Sequence, residues 1–206
     1  MIVAFTILRL VFIWMNSDFF PELSMGELFE IAFFGIRFDL STLVYCNVLF
    51  ILGHLIPHPF RGQNSFQLFL KFLFLLINLP LILIGLIDMK YFQFSLKRST
   101  IEVFGFGEDA LELGPTIITD YWYITLLFLV FSAVVWFVYN RISKIDRPPI
   151  LKVSPQLIIL ILGILLAGVL ARGGFQLKPI GPLAALEYTS ADLAPLISNT
   201  DRKSVV

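Results

Sequence analysis

The sequence predicts an all-α fold: a polytopic membrane helix bundle of about five transmembrane helices, with short interfacial helices beside them. Three observations predict it. The 206 residues are 58% hydrophobic with a mean hydropathy of +0.87, and only 15% are charged, where a soluble domain is roughly 45–50% apolar and about 25% charged. The 22 Phe and the long Leu, Ile and Val runs leave too little polar surface to cover a soluble globule. Finally, several stretches approach the about 20 apolar residues that a helix needs to cross about 30 Å of hydrocarbon. Each such stretch is expected to be helical, because a lone strand in lipid leaves its backbone groups unpaired.

The first stretch covers residues 1–15, with Arg9 inside it. It has no basic leader and no small-residue cleavage site, so it reads as a helix rather than a signal peptide. Its start on Met1 with almost no polar lead points to a natural N-terminus further upstream. Ser24-Met-Gly-Glu27 has the spacing of a capping box and predicts a helix through Ile31 to Phe34, lying in the interface and feeding the second span at residues 40–56. The third span covers residues 66–87, where Asn78 and Pro80 predict a kink. Ser99-Thr-Ile-Glu102 repeats the capping spacing, and Glu108 to Leu113 is followed by Gly114-Pro115, so short surface helices are expected between the third and fourth spans. The fourth span covers residues 122–139 and the fifth 150–171, after which Arg172-Gly-Gly reads as a turn.

Basic residues set the expected orientation. Arg141, Lys144, Arg147 and Lys152 against Asp146 place the loop between the fourth and fifth spans in the cytoplasm. The loop containing Arg61 then also faces the cytoplasm, and the acidic connection with Glu102, Glu108, Asp109, Glu112 and Asp120 faces outside, as does everything after Arg172. Tyr121, Trp122 and Tyr123 at one end of the fourth span, and Trp136 and Tyr139 at the other, fit aromatic belts. Fifteen basic and fifteen acidic residues cancel, so no nucleic-acid partner is expected. A single cysteine, Cys46, excludes an intrachain disulfide and reads as a small apolar filler. With His54 and His58 as the two histidines, there is no cysteine/histidine set for zinc.

Ionisable groups beside apolar spans are costly and usually have a partner or a task. Arg37 and Asp39 open the second span, and Asp88 and Lys90 close the third. Residues two apart on a helix point to different sides, so the expected arrangement pairs Arg37 with Asp88 and Asp39 with Lys90 across the two helices. A second reading adds Lys97 and Arg98: cations gathered at the outer headgroup level would donate charge-assisted hydrogen bonds to phosphate. Arg37, Asp39, Asp88, Lys90 and Arg98 are therefore the candidate substrate-binding residues, with membrane lipids, anionic headgroups of the outer leaflet among them, as partners. Lys71 sits near enough to its span's cytoplasmic end to snorkel. His54 reads as interfacial. No nucleophilic triad, intramembrane carboxylate dyad or phosphate loop can be assembled.

Gly35-Ile-Arg-Phe-Asp-Leu-Ser-Thr42, Asp88-Met-Lys-Tyr-Phe-Gln-Phe with Lys97-Arg-Ser-Thr after it, and Arg172-Gly-Gly-Phe-Gln-Leu-Lys-Pro-Ile180 together resemble the N-terminal membrane region of lipoteichoic-acid-synthase-like proteins. These belong to the sulfatase/alkaline-phosphatase superfamily, and the resemblance is to the versions found in Gram-negative bacteria. It spans residues 1–200. It implies a bacterial inner-membrane protein with five spans and an extracytoplasmic C-terminus. In such proteins a large outer domain follows, where a threonine beside a divalent metal, typically manganese, transfers phosphoglycerol or phosphoethanolamine from a lipid to an acceptor.

The expected domains are accordingly a transmembrane domain at residues 1–172, the start of a linker at 173–200, and a tail at 201–206 that reads as non-native. No cofactor is expected in this chain, since the metal belongs to the outer domain. Neither Thr189 nor Thr200 lies in the family's metal-binding context, so no catalytic residue is carried over and the chain alone is expected to be inactive. A small transporter or channel subunit and a non-enzymatic scaffold are the alternatives. Against transport stands the expected lack of paired broken helices and midplane ionisable residues.

Overall fold

The structure is a computed structural model that describes residues 1–21, 23–57, 62–95, 119–142, 153–175 and 193–197. Among these residues every regular element is helical: α1 (Ile2–Met15), a 3-10 turn (Ser17–Phe19), α2 (Met25–Cys46), α3 (Val48–Leu55), α4 (Asn64–Ser95), α5 (Trp122–Ile142), α6 (Val153–Ala171) and a four-residue α7 (Ala194–Ile197). The expected surface helices between residues 99 and 113, Lys97 and Arg98, and the basic loop after Ile142 lie outside the described residues.

Among the described residues two helices are long and apolar enough to cross a membrane, Asn64–Phe94 and Trp122–Ile142, or three if α2 and α3 count as one bent span. The expected count of about five is not reached, for a reason of length. At 1.5 Å per residue the 14 residues of α1 rise about 21 Å, short of the roughly 30 Å hydrocarbon core. The apolar part of α6, Pro155–Ala171, is also below span length. By contrast α4, with 32 residues, rises about 48 Å.

The capping box forms as its spacing predicts. Ser24 Oγ accepts from the Glu27 N–H, and Glu27 Oε2 accepts from the Ser24 N–H at 2.8 Å. It starts one continuous 22-residue helix, however, so the segment expected to lie in the interface and the start of the second span are a single element. The sharp bend falls further on, 68° between α2 and α3. At the junction Asn47 donates through Nδ2 to Leu43 O, 3.0 Å, and to Asn78 Oδ1, 3.2 Å. Asn78 Nδ2 in turn donates to Asn47 Oδ1, 2.6 Å, and to Phe74 O, 2.8 Å. A side-chain amide bonded to the backbone one turn back competes with the regular ladder, and the partner amide on α4 holds that alternative in place. Pro80 sits inside α4, which continues through it as one helix.

α1 packs on α2 and α4, α5 on α4, and α6 on α2 and α3, while α7 packs on α2. The core gathers where α1, α2 and α4 meet: Phe12, Ile31, Phe38, Ile82, Leu86 and Met89 are each at most 2% exposed. Around this core the outside is apolar. Ile158, Leu162 and Leu165 on α6, and Trp136 and Phe137 on α5, are all more than half exposed, a surface that water does not cover favourably and lipid does. Two close approaches need glycine. A Cβ at Gly163 would lie 2.7 Å from both methyl carbons of Leu55, and one at Gly53 would lie 2.6 Å from a methyl carbon of Leu70.

The amide pair gives the first prediction. Asn78→Leu leaves the Asn47 Oδ1 buried without its donor, a loss of about 1–3 kcal/mol. Thermal unfolding of the detergent-solubilised chain should show a clear fall in midpoint, and an unchanged midpoint contradicts the role given to the pair.

Candidate functional site

The polar centre of the bundle is built around Arg9. Its side chain is 4% exposed, although it sits in an otherwise apolar helix. Nη2 meets Asp39 Oδ1 at 2.6 Å and Gly35 O at 3.2 Å, both on α2. Nη1 donates to Ile197 O at 2.6 Å and to Leu196 O. Asp39 is 1% exposed. A charge removed from water is tolerated when it is paired and its donors are used, and here one guanidinium serves a carboxylate and three backbone carbonyls. Nε is the buried nitrogen of this side chain without a hydrogen bond among the described residues.

Gly35 makes the site possible. A Cβ there would lie 2.8 Å from Nη1 and closer still to Cζ and Nε, so any larger residue occupies the guanidinium's place. Gly35 and Asp39 are four apart, one above the other on the face of α2 that turns to α1. The Gly-Ile-Arg-Phe-Asp string thus provides a gap and, one turn on, a carboxylate.

The two carbonyls from α7 belong to the chain that follows α6. Leu193, Leu196 and Ile197 are 6%, 0% and 1% exposed. The last carbonyls of any helix lack intrahelical donors, and a cation placed there also meets the negative end of the helix. Arg9 lies six residues before the end of α1, about 9 Å along its axis, so the segment 193–197 packs well inside the bundle rather than on its rim.

The same device recurs beside it. α6 ends in a Schellman turn: the Gly173 N–H reaches Leu170 O at 2.9 Å and the Gly174 N–H reaches Val169 O at 3.0 Å, with Gly173 at φ 77°. Arg37 Nε donates to Gly173 O at 2.9 Å and Ser41 Oγ donates to Ala171 O. Arg37 and Ser41 stand four apart on α2, so one face of that helix caps the end of α6 while another carries Gly35 and Asp39.

The sequence-predicted residues are therefore distributed as follows. Asp39 is met by Arg9 and not by Lys90, which corrects the expected cross-pair. Lys90 donates to Gln93 Oε1 at 2.9 Å and lies 6.0 and 5.8 Å from the ring centres of Tyr121 and Tyr123. Its own helix and the start of α5 are nearer than α2. Arg37 reaches the end of α6, and Asp88 is fully buried. Arg98 lies outside the described residues. Lys71, expected to snorkel, is half-buried against α5, bonded to Asn140 Oδ1 at 2.8 Å. His54 packs on Phe50, its Nδ1 3.1 Å from Phe50 O. One helix pair, α2 and α3, is bent at Asn47, and a buried ion pair forms at Arg9.

Arg9, Gly35 and the 193–197 segment were not among the sequence candidates. The available signal was the lone arginine in the first apolar stretch, which calls for an acid elsewhere in the bundle. Among the described residues no group of three or more His, Cys, Asp or Glu side chains is placed to hold a metal ion. No protein-family model matches the chain, and no curated protein and no solved structure matches it either.

Removing one partner of the buried pair leaves the other uncompensated, at a cost of about 3–5 kcal/mol. Asp39→Asn and Arg9→Met should each lower the thermal midpoint of the chain in detergent substantially. The double variant Arg9→Met, Asp39→Leu should recover part of the loss. Additive losses in the double variant would show that the two side chains do not act as a pair.

Proposed function

We propose that the chain is the membrane-anchoring region of a lipid-dependent phosphoglycerol or phosphoethanolamine transferase of the sulfatase-like superfamily, inactive by itself. The observation that supports this reading best is the attachment of the chain beyond α6. Residues 193–197 are held in the bundle by Arg9, and the turn after α6 is held by Arg37 and Ser41. An anchor that must present a following domain at a fixed distance from lipid headgroups needs its exit segment immobilised, whereas a free linker would let that domain wander.

In this reading the bundle passes five times through a bacterial inner membrane. α1 and α6 are the short spans, accommodated beside longer neighbours by local thinning, and the C-terminus lies outside the cytoplasm. Arg37 and Lys90, both half-buried, would face outer-leaflet headgroups together with Arg98, while the buried Asp39 and Asp88 serve the interior. The transferred group, the acceptor and the divalent metal belong to the outer domain.

The bend at Asn47 favours the alternative of a transporter or channel subunit, since broken helices line transport sites. Against that alternative, both buried amides at the bend are bonded to each other and to backbone carbonyls, which leaves no polar group turned toward a solute.

Two observations test the proposal. The gene read past codon 200 should continue into a metal-binding hydrolase-like domain. The complete product, supplied with phosphatidylglycerol and phosphatidylethanolamine, should release diacylglycerol in a manganese-dependent manner. Consumption of neither lipid by a folded complete product overturns the assignment.

A further inference from the structure

Among the described residues, the start of α4 and the end of α5 carry cations without acids. Lys71 on α4 donates to Asn140 Oδ1 at 2.8 Å, and Arg141 follows Asn140 in sequence at the end of α5. Among the described residues from Asn47 to Leu83, Thr125 to Ile142 and Val153 to Leu170 there is no Asp or Glu. Arg141 makes no hydrogen bond or ion pair among the described residues, and it is exposed. Among the described residues Lys71 has one acceptor, Asn140, for its three N–H groups, and its ammonium lies 5.1 Å from the ring centre of Trp136.

Asn140 and Arg141 form the polar end of a cleft of about 420 Å³ whose other walls are Trp136 and Phe137. Those two side chains are 53% and 64% exposed, and Val134 and Val130 extend the apolar ridge along α5 toward the middle of the bundle. The cleft is thus amphipathic along the helix axis: a guanidinium and an amide at the helix end, then an indole face, then hydrocarbon, with the Lys71 ammonium set against two of the lining residues, Asn140 and Trp136. In the sequence the positive excess continues past Ile142 with Lys144, Arg147 and Lys152 against Asp146.

We propose that this cleft binds an anionic phospholipid of the bilayer. Its phosphate accepts from Arg141 and from the remaining Lys71 N–H groups, and an acyl chain lies over Trp136, Phe137 and the valine ridge. Uncompensated cations beside apolar spans attract anionic headgroups, and an arginine fork suits phosphate oxygens. The indole at the headgroup boundary supplies the amphipathic platform expected there. The proposal rests on the chain lying in a bilayer and is independent of the phosphotransfer reading.

Native mass spectrometry of the whole chain, released from micelles holding equal phosphatidylglycerol and phosphatidylcholine, tests it. The parent should retain phosphatidylglycerol in preference, and each of Arg141→Gln and Lys71→Gln should lower that preference about fivefold, the effect of one interfacial cation. Arg141 is exposed, so its replacement leaves the packing intact and keeps the test decisive should Lys71→Gln fail to fold. Equal retention of the two lipids by the parent, or an unchanged preference in Arg141→Gln, overturns the proposal.

Discussion

A guanidinium placed among apolar helices has to find oxygen atoms, and the bundle is arranged around that requirement. Arg9 draws α2 against α1 through Asp39 and Gly35, and it draws α7 against both through Leu196 and Ile197. Removing either charge leaves its partner stranded in a low-dielectric interior. α2 is the helix on which this converges: it meets α1, α3, α6 and α7. Four of its residues, Gly35, Arg37, Asp39 and Ser41, take part in holding other elements by their ends or by their charge.

Membrane bundles lack the hydrophobic drive that packs soluble cores, since lipid is as apolar as leucine, and they associate through close packing and interhelical hydrogen bonds. Both are visible here. Gly35, Gly53 and Gly163 permit approaches that a Cβ would obstruct. The Asn47 and Asn78 amides join α2, α3 and α4 where the bend frees a helix end. The polar contacts between elements are few, at the Arg9 pair, the Asn47 bend and the capped end of α6, and the broad apolar faces of α5 and α6 are left to the lipid. Two regions of the bundle then differ in character. One holds the chain that follows α6 by paired charge and capped carbonyls, and the other, at the start of α4 and the end of α5, presents cations that the described residues do not balance.

The helical architecture was legible in the sequence because long apolar stretches in a chain only 15% charged leave no other solution. The Ser24–Glu27 capping box was legible for the same kind of reason: it is a local pattern with a local consequence. The partners of the buried charges were not. Helical periodicity assigns residues to faces, and it leaves open which face meets which neighbour. Asp39 was therefore assigned to Lys90 on the third span, although its partner is Arg9 on the first helix. Fewer described helices reach full span length than hydropathy suggests, because hydropathy measures apolar content, whereas helix length also depends on where caps, bends and turns fall. Asn78 was noticed for its proximity to Pro80, yet its role lies in its bond to Asn47 on another helix, a contact separated by 31 residues in sequence.

The account stands on Arg9 holding residues 193–197 inside the bundle. Cysteine accessibility measures this directly. In a Cys46→Ser background, Ile197→Cys is probed in membranes with a bulky, membrane-impermeant maleimide, with and without the further change Arg9→Gln. The account predicts that Cys at position 197 is protected while Arg9 is present and reacts readily once it is replaced. Equal, rapid labelling in both forms would contradict it.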